Sequence, residues 1–106
     1  MKKDLREYYP NRMIKHLINS YSNGECCEIF YTQKGIVHRK NFPAFQEWYL
    51  NEFMRRSIFF YNGSFHNINT PADTHFFKNG KILAKKYAYN DEFNTKLTWM
   101  NLIKNI

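Results

Sequence analysis

The 106-residue sequence predicts an α+β protein, an antiparallel β-meander of tandem 28-residue hairpin repeats flanked by an N-terminal and a C-terminal helix. Three observations predict it. The chain matches itself at an offset of 28 residues, as from Gly35 to Gly63; Asn-Gly dipeptides stand between apolar or alternating flanks; and apolar residues near both ends recur at helical spacing. This length is one domain, at the lower end of what buries a core. The expected divisions are a helical segment over 1–20, hairpin repeats over 21–94 and a helix over 95–106.

The N-terminal segment "PNRMIKHLINSY" places Met13, Ile14, Leu17, Ile18 and Tyr21 at helical spacing, with Asn11 as N-cap after Pro10. The repeats follow. Units 21–48 and 49–76 share Tyr21/Tyr49, Asn23/Asn51, Gly35/Gly63, His38/His66, Asn41/Asn69, Pro43/Pro71 and Ala44/Ala72. A third unit keeps Phe77, Asn79-Gly80, Tyr87, Tyr89-Asn90 and Phe93, then departs: Asn94 stands at the histidine position and Trp99-Met100 at Pro-Ala. "FKNGKIL" and "IFFYNGSF" carry the strongest short-range hairpin signal, because Asn and Gly both tolerate positive φ.

"FPAFQEWYLNEFMRR" reads alone as a helix, with Phe45, Trp48 or Tyr49, and Phe53 at helical spacing. Repeat register equates it instead with the hairpin "TPADTHFFKNGKIL", so a hairpin is expected there. In "NTKLTWMNLIKNI", Asn94 or Thr95 caps a helix whose Trp99, Leu102, Ile103 and Ile106 share a face. The two helices are expected to cover a sheet that cannot bury its apolar face alone.

Sixteen Lys and Arg against nine Asp and Glu give a net charge of +7, which favours polyanions or an acidic protein surface as partners and disfavours mimicry of DNA. A hydrophobic content of 43% disfavours disorder. Every apolar run is far shorter than a membrane span, and neither signal peptide nor anchor is expected. Cys26 and Cys27 are adjacent, too close for an ordinary disulfide, so reduced thiols in the cytoplasm are expected. Heavy use of Asn, Lys, Ile, Tyr and Phe is what AT-rich coding produces, as is common in phages and mobile elements.

The Tyr-x-Asn-Gly turns, followed by Gly-x-x-His-x-x-x-x-Pro-Ala at Gly35, His38, Pro43, Ala44 and at Gly63, His66, Pro71, Ala72, resemble the MORN-like β-hairpin repeats of uncharacterised phage and giant-virus proteins. The resemblance spans about residues 21–94. Arg39 meets that pattern's arginine after the histidine, whereas Asn67, Phe42 and Thr70 depart from it. The resemblance implies a β-repeat scaffold in a viral or mobile-element setting and no enzyme activity.

Four sets of residues carry candidate chemistry. His38 and His66 would serve as general acid and base if they met, with Arg39 or Lys40 stabilising charge, or as ligand contacts. Recurrence at the repeat period favours a structural role, because a catalytic pair needs only one meeting place. His16, His38, His66 and His75 with Cys26 and Cys27 show no metal-ligand spacing, and no metal or cofactor is expected. Tyr31, Phe59 and Tyr87 fall at equivalent places in the three units, with Tyr61 and Tyr89 two residues on. They read as core, or, exposed among Lys34, Arg39, Lys40, Lys85 and Lys86, as a stacking platform for unpaired bases. Basic clusters occur at His38-Arg39-Lys40, Arg55-Arg56 and Lys85-Lys86.

These readings lead to an expected non-enzymatic accessory protein of a phage or mobile element. It binds, and inhibits, a host macromolecule of defence or nucleic-acid processing through a basic, aromatic-rich sheet surface. An acidic host protein or ribonucleoprotein is the expected partner. The alternatives are direct binding of RNA or single-stranded DNA, an antitoxin or immunity role, and a histidine-based nuclease. An exposed edge strand makes a homodimer compatible with this scheme.

Overall fold

A computed structural model of the chain describes residues 2–68 and 70–94. The strands are β1 (Leu5–Tyr8), β2 (Ile14–Ser20), β3 (Cys26–Phe30), β4 (Phe45–Trp48), β5 (Met54–Ile58), β6 (Phe60–Tyr61), β7 (Ser64–Phe65), β8 (Asp73–Phe76), β9 (Ile82–Tyr89) and β10 (Glu92–Asn94). Eight form one antiparallel sheet in the order β1-β2-β3-β4-β5-β8-β9-β10, and β6 pairs with β7 in a separate two-stranded hairpin. The described residues contain no helix, so none is long and apolar enough to cross a membrane.

The α+β expectation is therefore corrected to all-β. Residues 1–20 were expected to be helical; within them β1 and β2 form a hairpin through Tyr9–Met13. The physical reason is the turn itself. Tyr9-Pro10-Asn11-Arg12 repeats the Tyr-x-Asn pattern of Tyr21-Ser22-Asn23-Gly24, and Arg12 takes the positive φ of 70° that Gly24 takes at 87°. The expected helix over 95–106 lies outside the described residues. The segment 45–58 is a hairpin, β4 and β5 joined through Tyr49–Phe53.

Five hairpin loops share one construction. In Tyr49–Phe53 the first residue's N–H donates to the fifth residue's C=O at 2.9 Å and the fourth's N–H returns to the first's C=O at 2.9 Å. The loops at Tyr9–Met13, Tyr21–Glu25, Thr32–Ile36 and Phe77–Lys81 repeat these bonds. Each puts its fourth residue in the left-handed region, which suits glycine and strains Arg12 and Glu52. Asn11, Asn23, Asn51 and Asn79 each accept the N–H two residues on, which fixes the turn from within. Two tighter loops, Asn62-Gly63 and Asn90-Asp91, have positive φ at both residues, the two-residue turn that matches strand twist.

Among the described residues the eight-stranded sheet is accompanied by the two-stranded β6–β7 hairpin alone, and the packing reflects that. Principal extents are 40 × 39 × 17 Å. The buried apolar set is thin: Ile18, Cys26, Cys27, Ala44, Ile58, Ala72, Tyr87 and Ala88. One cross-strand row runs Leu17, Ile29, Phe45, Ile58, and its neighbour on the same face runs Cys27, Glu47, Arg56, His75. Polar pairs fill the second row. Asp73, 2% exposed, receives Arg56 Nε at 3.1 Å and Nη2 at 2.9 Å, a bidentate pair. The Tyr21 hydroxyl donates to Glu47 at 2.6 Å.

Candidate functional site

The repeat's histidines join each unit to the next. His38 Nδ1 accepts the backbone N–H of Asn62, and His66 Nδ1 that of Asn90, 24 residues on in both cases. Beside them the N–H of Gly63 donates to Val37 C=O, and that of Asp91 to Phe65 C=O, each at 2.9 Å. An amide N–H can only donate, so each Nδ1 is unprotonated and a neutral ring carries its proton on Nε2. Burial lowers the His66 pKa, which favours that neutral ring.

The imidazoles also build an aromatic run. His38 meets Tyr61 at 4.9 Å between ring centres, Tyr61 meets His66 at 5.8 Å, and His66 meets Tyr89 at 4.9 Å. Tyr61 thus contacts both histidines, and each Nδ1 is already spent on a backbone amide. This arrangement serves packing between units.

Between the connector 37–44 and the connector 66–72 lies a cleft of about 460 Å³. Arg39, Lys40 and Asn41 line it from the first connector, and Phe59, Phe60 and Tyr61 from the end of β5 and the strand β6. His66, Asn67, Ile68 and Thr70 complete it. Ala44 and Ala72, both fully buried, anchor the two connectors: the Ala44 N–H donates to Ile58 C=O and the Ala72 N–H to Lys86 C=O. The Pro-Ala pairs shared by the two units therefore bring each connector back onto the sheet.

Among the described residues, Arg39 is held in place without an acid. Its guanidinium carbon lies 3.9 Å from the centre of Phe30 and 5.0 Å from that of Phe42, and Nη1 reaches Pro43 C=O at 3.4 Å. Behind it, His16 stacks on Phe30 at 4.2 Å with the rings 9° from parallel. Phe30 is thus sandwiched, one face for the imidazole and the other for the guanidinium. His16 in turn sits between Glu7 Oε1 at 2.7 Å and Glu28 Oε2 at 2.6 Å. The cation therefore rests on a tied-down support, and among the described residues its guanidinium, which has five N–H donors, makes one hydrogen bond, that of Nη1 to Pro43 C=O.

The other sequence-derived candidates lie elsewhere. Arg55 bonds Glu25 at 2.6 Å, and Arg56 is committed to Asp73, whose hydrogen bonds raise the guanidinium pKa. These two adjacent strand residues alternate faces, as do Lys85 and Lys86. The structure does not gather the four into one patch. Lys86 lies 5.9 Å from the Phe93 ring centre. Tyr31 is half-buried, with its pKa raised by burial, and Tyr87 is buried at 8% exposure. Of the column Tyr31, Phe59 and Tyr87, only Phe59 reaches the cleft.

Sequence reasoning named Arg39, Lys40, Phe59, Tyr61 and His66 but not the cleft that unites them. It missed Asn41, Phe60, Asn67 and Thr70 as members. For Asn41, Asn67 and Thr70 the signal was their place in the connectors that end at the shared Pro-Ala, whereas Phe60 lies in β6 and had no such signal. Cys26 and Cys27 are both buried, and burial pushes the Cys26 thiol pKa up. Comparison with protein-family models, with curated proteins and with solved structures finds no match.

Proposed function

We propose that the protein is a small non-enzymatic binding module that captures single-stranded nucleic acid, RNA or DNA, at the cleft between its two connectors. One observation carries this reading: Arg39 and Lys40 share a concavity with Phe59, Phe60, Tyr61 and His66. Unpaired nucleotides need cations for phosphate and ring faces for bases, and the cleft supplies both. The net charge of +7 adds a sequence-independent attraction.

In this reading the MORN-like hairpins are scaffold, and the histidines join units rather than transfer protons. The setting is the cytoplasm of a host cell, where the thiols stay reduced. Capture of a nucleic acid, free or exposed on a ribonucleoprotein, is how a phage or mobile-element accessory protein of this kind would obstruct a host machine.

The test is fluorescence anisotropy with short labelled RNA and DNA strands. Binding should weaken as salt rises, with a log–log slope near ~0.7 per phosphate contacted. Lys40→Glu should weaken binding strongly while leaving the thermal melt unchanged. A flat titration with every strand at low salt would overturn the proposal.

A further inference from the structure

We infer that the cleft is a pocket for one nucleotide, holding the phosphate at Arg39 and Lys40 and stacking the base on an aromatic wall, rather than one step of a track along a strand. The inference rests on the nucleic-acid reading above and narrows it.

The repeat itself supplies the reason. A track would reproduce its cations at each junction, because successive phosphates are equivalent. One repeat further on, Asn67 and Ile68 stand where Arg39 and Lys40 stand, and Ala88 replaces Phe60. One repeat back, Thr32 and Gln33 replace Phe60 and Tyr61. The scaffold recurs while the cleft's chemistry does not. Among the described residues, a single junction combines two cations with three aromatic rings.

Size and preparation agree. About 460 Å³ lies within the ~300–1,000 Å³ typical of small-molecule pockets and suits one nucleotide, not a run of them. Arg39 is fixed by Phe30 and Phe42 before any ligand arrives, so little side-chain entropy is lost on capture. Asn41 lines the cleft in the left-handed region, at a φ of 67°. Backbone held in this way is a recurrent feature of ligand clamps. Its amide offers a donor and an acceptor to a base or sugar edge.

The experiment is calorimetric titration of the full chain with the four 5′-nucleoside monophosphates, nucleosides, ribose 5-phosphate, and oligonucleotides of increasing length. A monophosphate should bind one per chain, and oligonucleotides should gain little per site over it. Nucleosides and ribose 5-phosphate should each bind at least about tenfold more weakly, since each lacks one of the two contacts. Lys40→Gln should weaken monophosphate binding about tenfold, whereas Lys81→Gln, outside the cleft, should not change it.

Two results would overturn the pocket while sparing the nucleic-acid reading: affinity that climbs steeply with strand length while monophosphates are silent, or ribose 5-phosphate binding as tightly as the monophosphates. Silence of every ligand, oligonucleotides included, would overturn both.

Discussion

His38 accepts, at Nδ1, the backbone N–H of Asn62 at 2.9 Å, and so ties the first full repeat to the tight turn of the second. His66 and Asn90 do the same one repeat later at 3.1 Å. Replacing His38 with Ala removes the acceptor and the ring against Tyr61. The expected cost is about 1–2 kcal/mol in urea denaturation, from one lost hydrogen bond and one aromatic contact. A variant as stable as the wild type would show that the staple contributes nothing.

Acid should loosen the second staple. The His66 pKa is lowered by burial in the folded chain, so the unfolded state binds the proton more readily. Stability is then fully present above the unfolded value of about 6.5 and declines as pH falls below it toward the folded value. Protonation also forbids Nδ1 from accepting the Asn90 N–H. Denaturation midpoints measured between about pH 7.5 and 5 should decline less in His66→Gln than in the wild type.

Arg56 and Asp73 form a two-bond ion pair whose carboxylate is buried and whose guanidinium is partly open to solvent. Arg56→Met strands the buried carboxylate, leaving it His75 Nε2 at 3.4 Å. Discounted for the exposed partner, the expected loss is about 2–3 kcal/mol, read from chemical denaturation. Arg55→Met, which removes a more exposed cation, should cost less.

Arg12 occupies a left-handed position that glycine holds in three of the sister loops, at Gly24, Gly35 and Gly80. Arg12→Gly relieves that strain at some cost in unfolded-chain entropy, so a net gain of up to about 1 kcal/mol is expected. A lower melting temperature in the glycine variant would contradict the turn assignment.

Cys26 and Cys27 are 2% and 4% exposed. Neither should react with a thiol reagent in the native protein at mild pH, and both should label promptly in denaturant. Rapid native labelling would mean that β3 opens readily.

Turn chemistry was legible because it is written in neighbouring residues. Gly80 and Asn62-Gly63 announce positive φ, and the 28-residue offset from Gly35 to Gly63 keeps a positive φ at both glycines although their loops differ, a five-residue loop at Thr32–Ile36 and a two-residue turn at Asn62-Gly63. The N-terminal hairpin was misread because Arg12 conceals a left-handed position that glycine would have advertised. The apolar spacing of Met13, Ile14, Leu17 and Ile18 also imitates a helix when both faces of a strand are half-covered. Ile14, Leu17 and Ile18 are buried or half-buried in the sheet, although Leu17 and Ile18 point to opposite sides.

By itself, then, the sequence determined the Asn-Gly turns, the 28-residue offset and the excess of positive charge, because these depend on local backbone preference and composition. Only the tertiary structure decided which charges are spent and which are available. Arg55 and Arg56 look like a free basic cluster, yet each meets an acid remote in sequence, Glu25 at the end of the loop before β3 and Asp73 in the neighbouring strand β8. Arg39, in a connector without regular pattern, is instead supported by Phe30 and faces a cleft completed by Tyr61 and His66. The aromatic run likewise joins His38, Tyr61, His66 and Tyr89 rather than Tyr31, Phe59 and Tyr87. Such contacts follow from how successive units stack and where their connectors cross, which no stretch of neighbouring residues encodes.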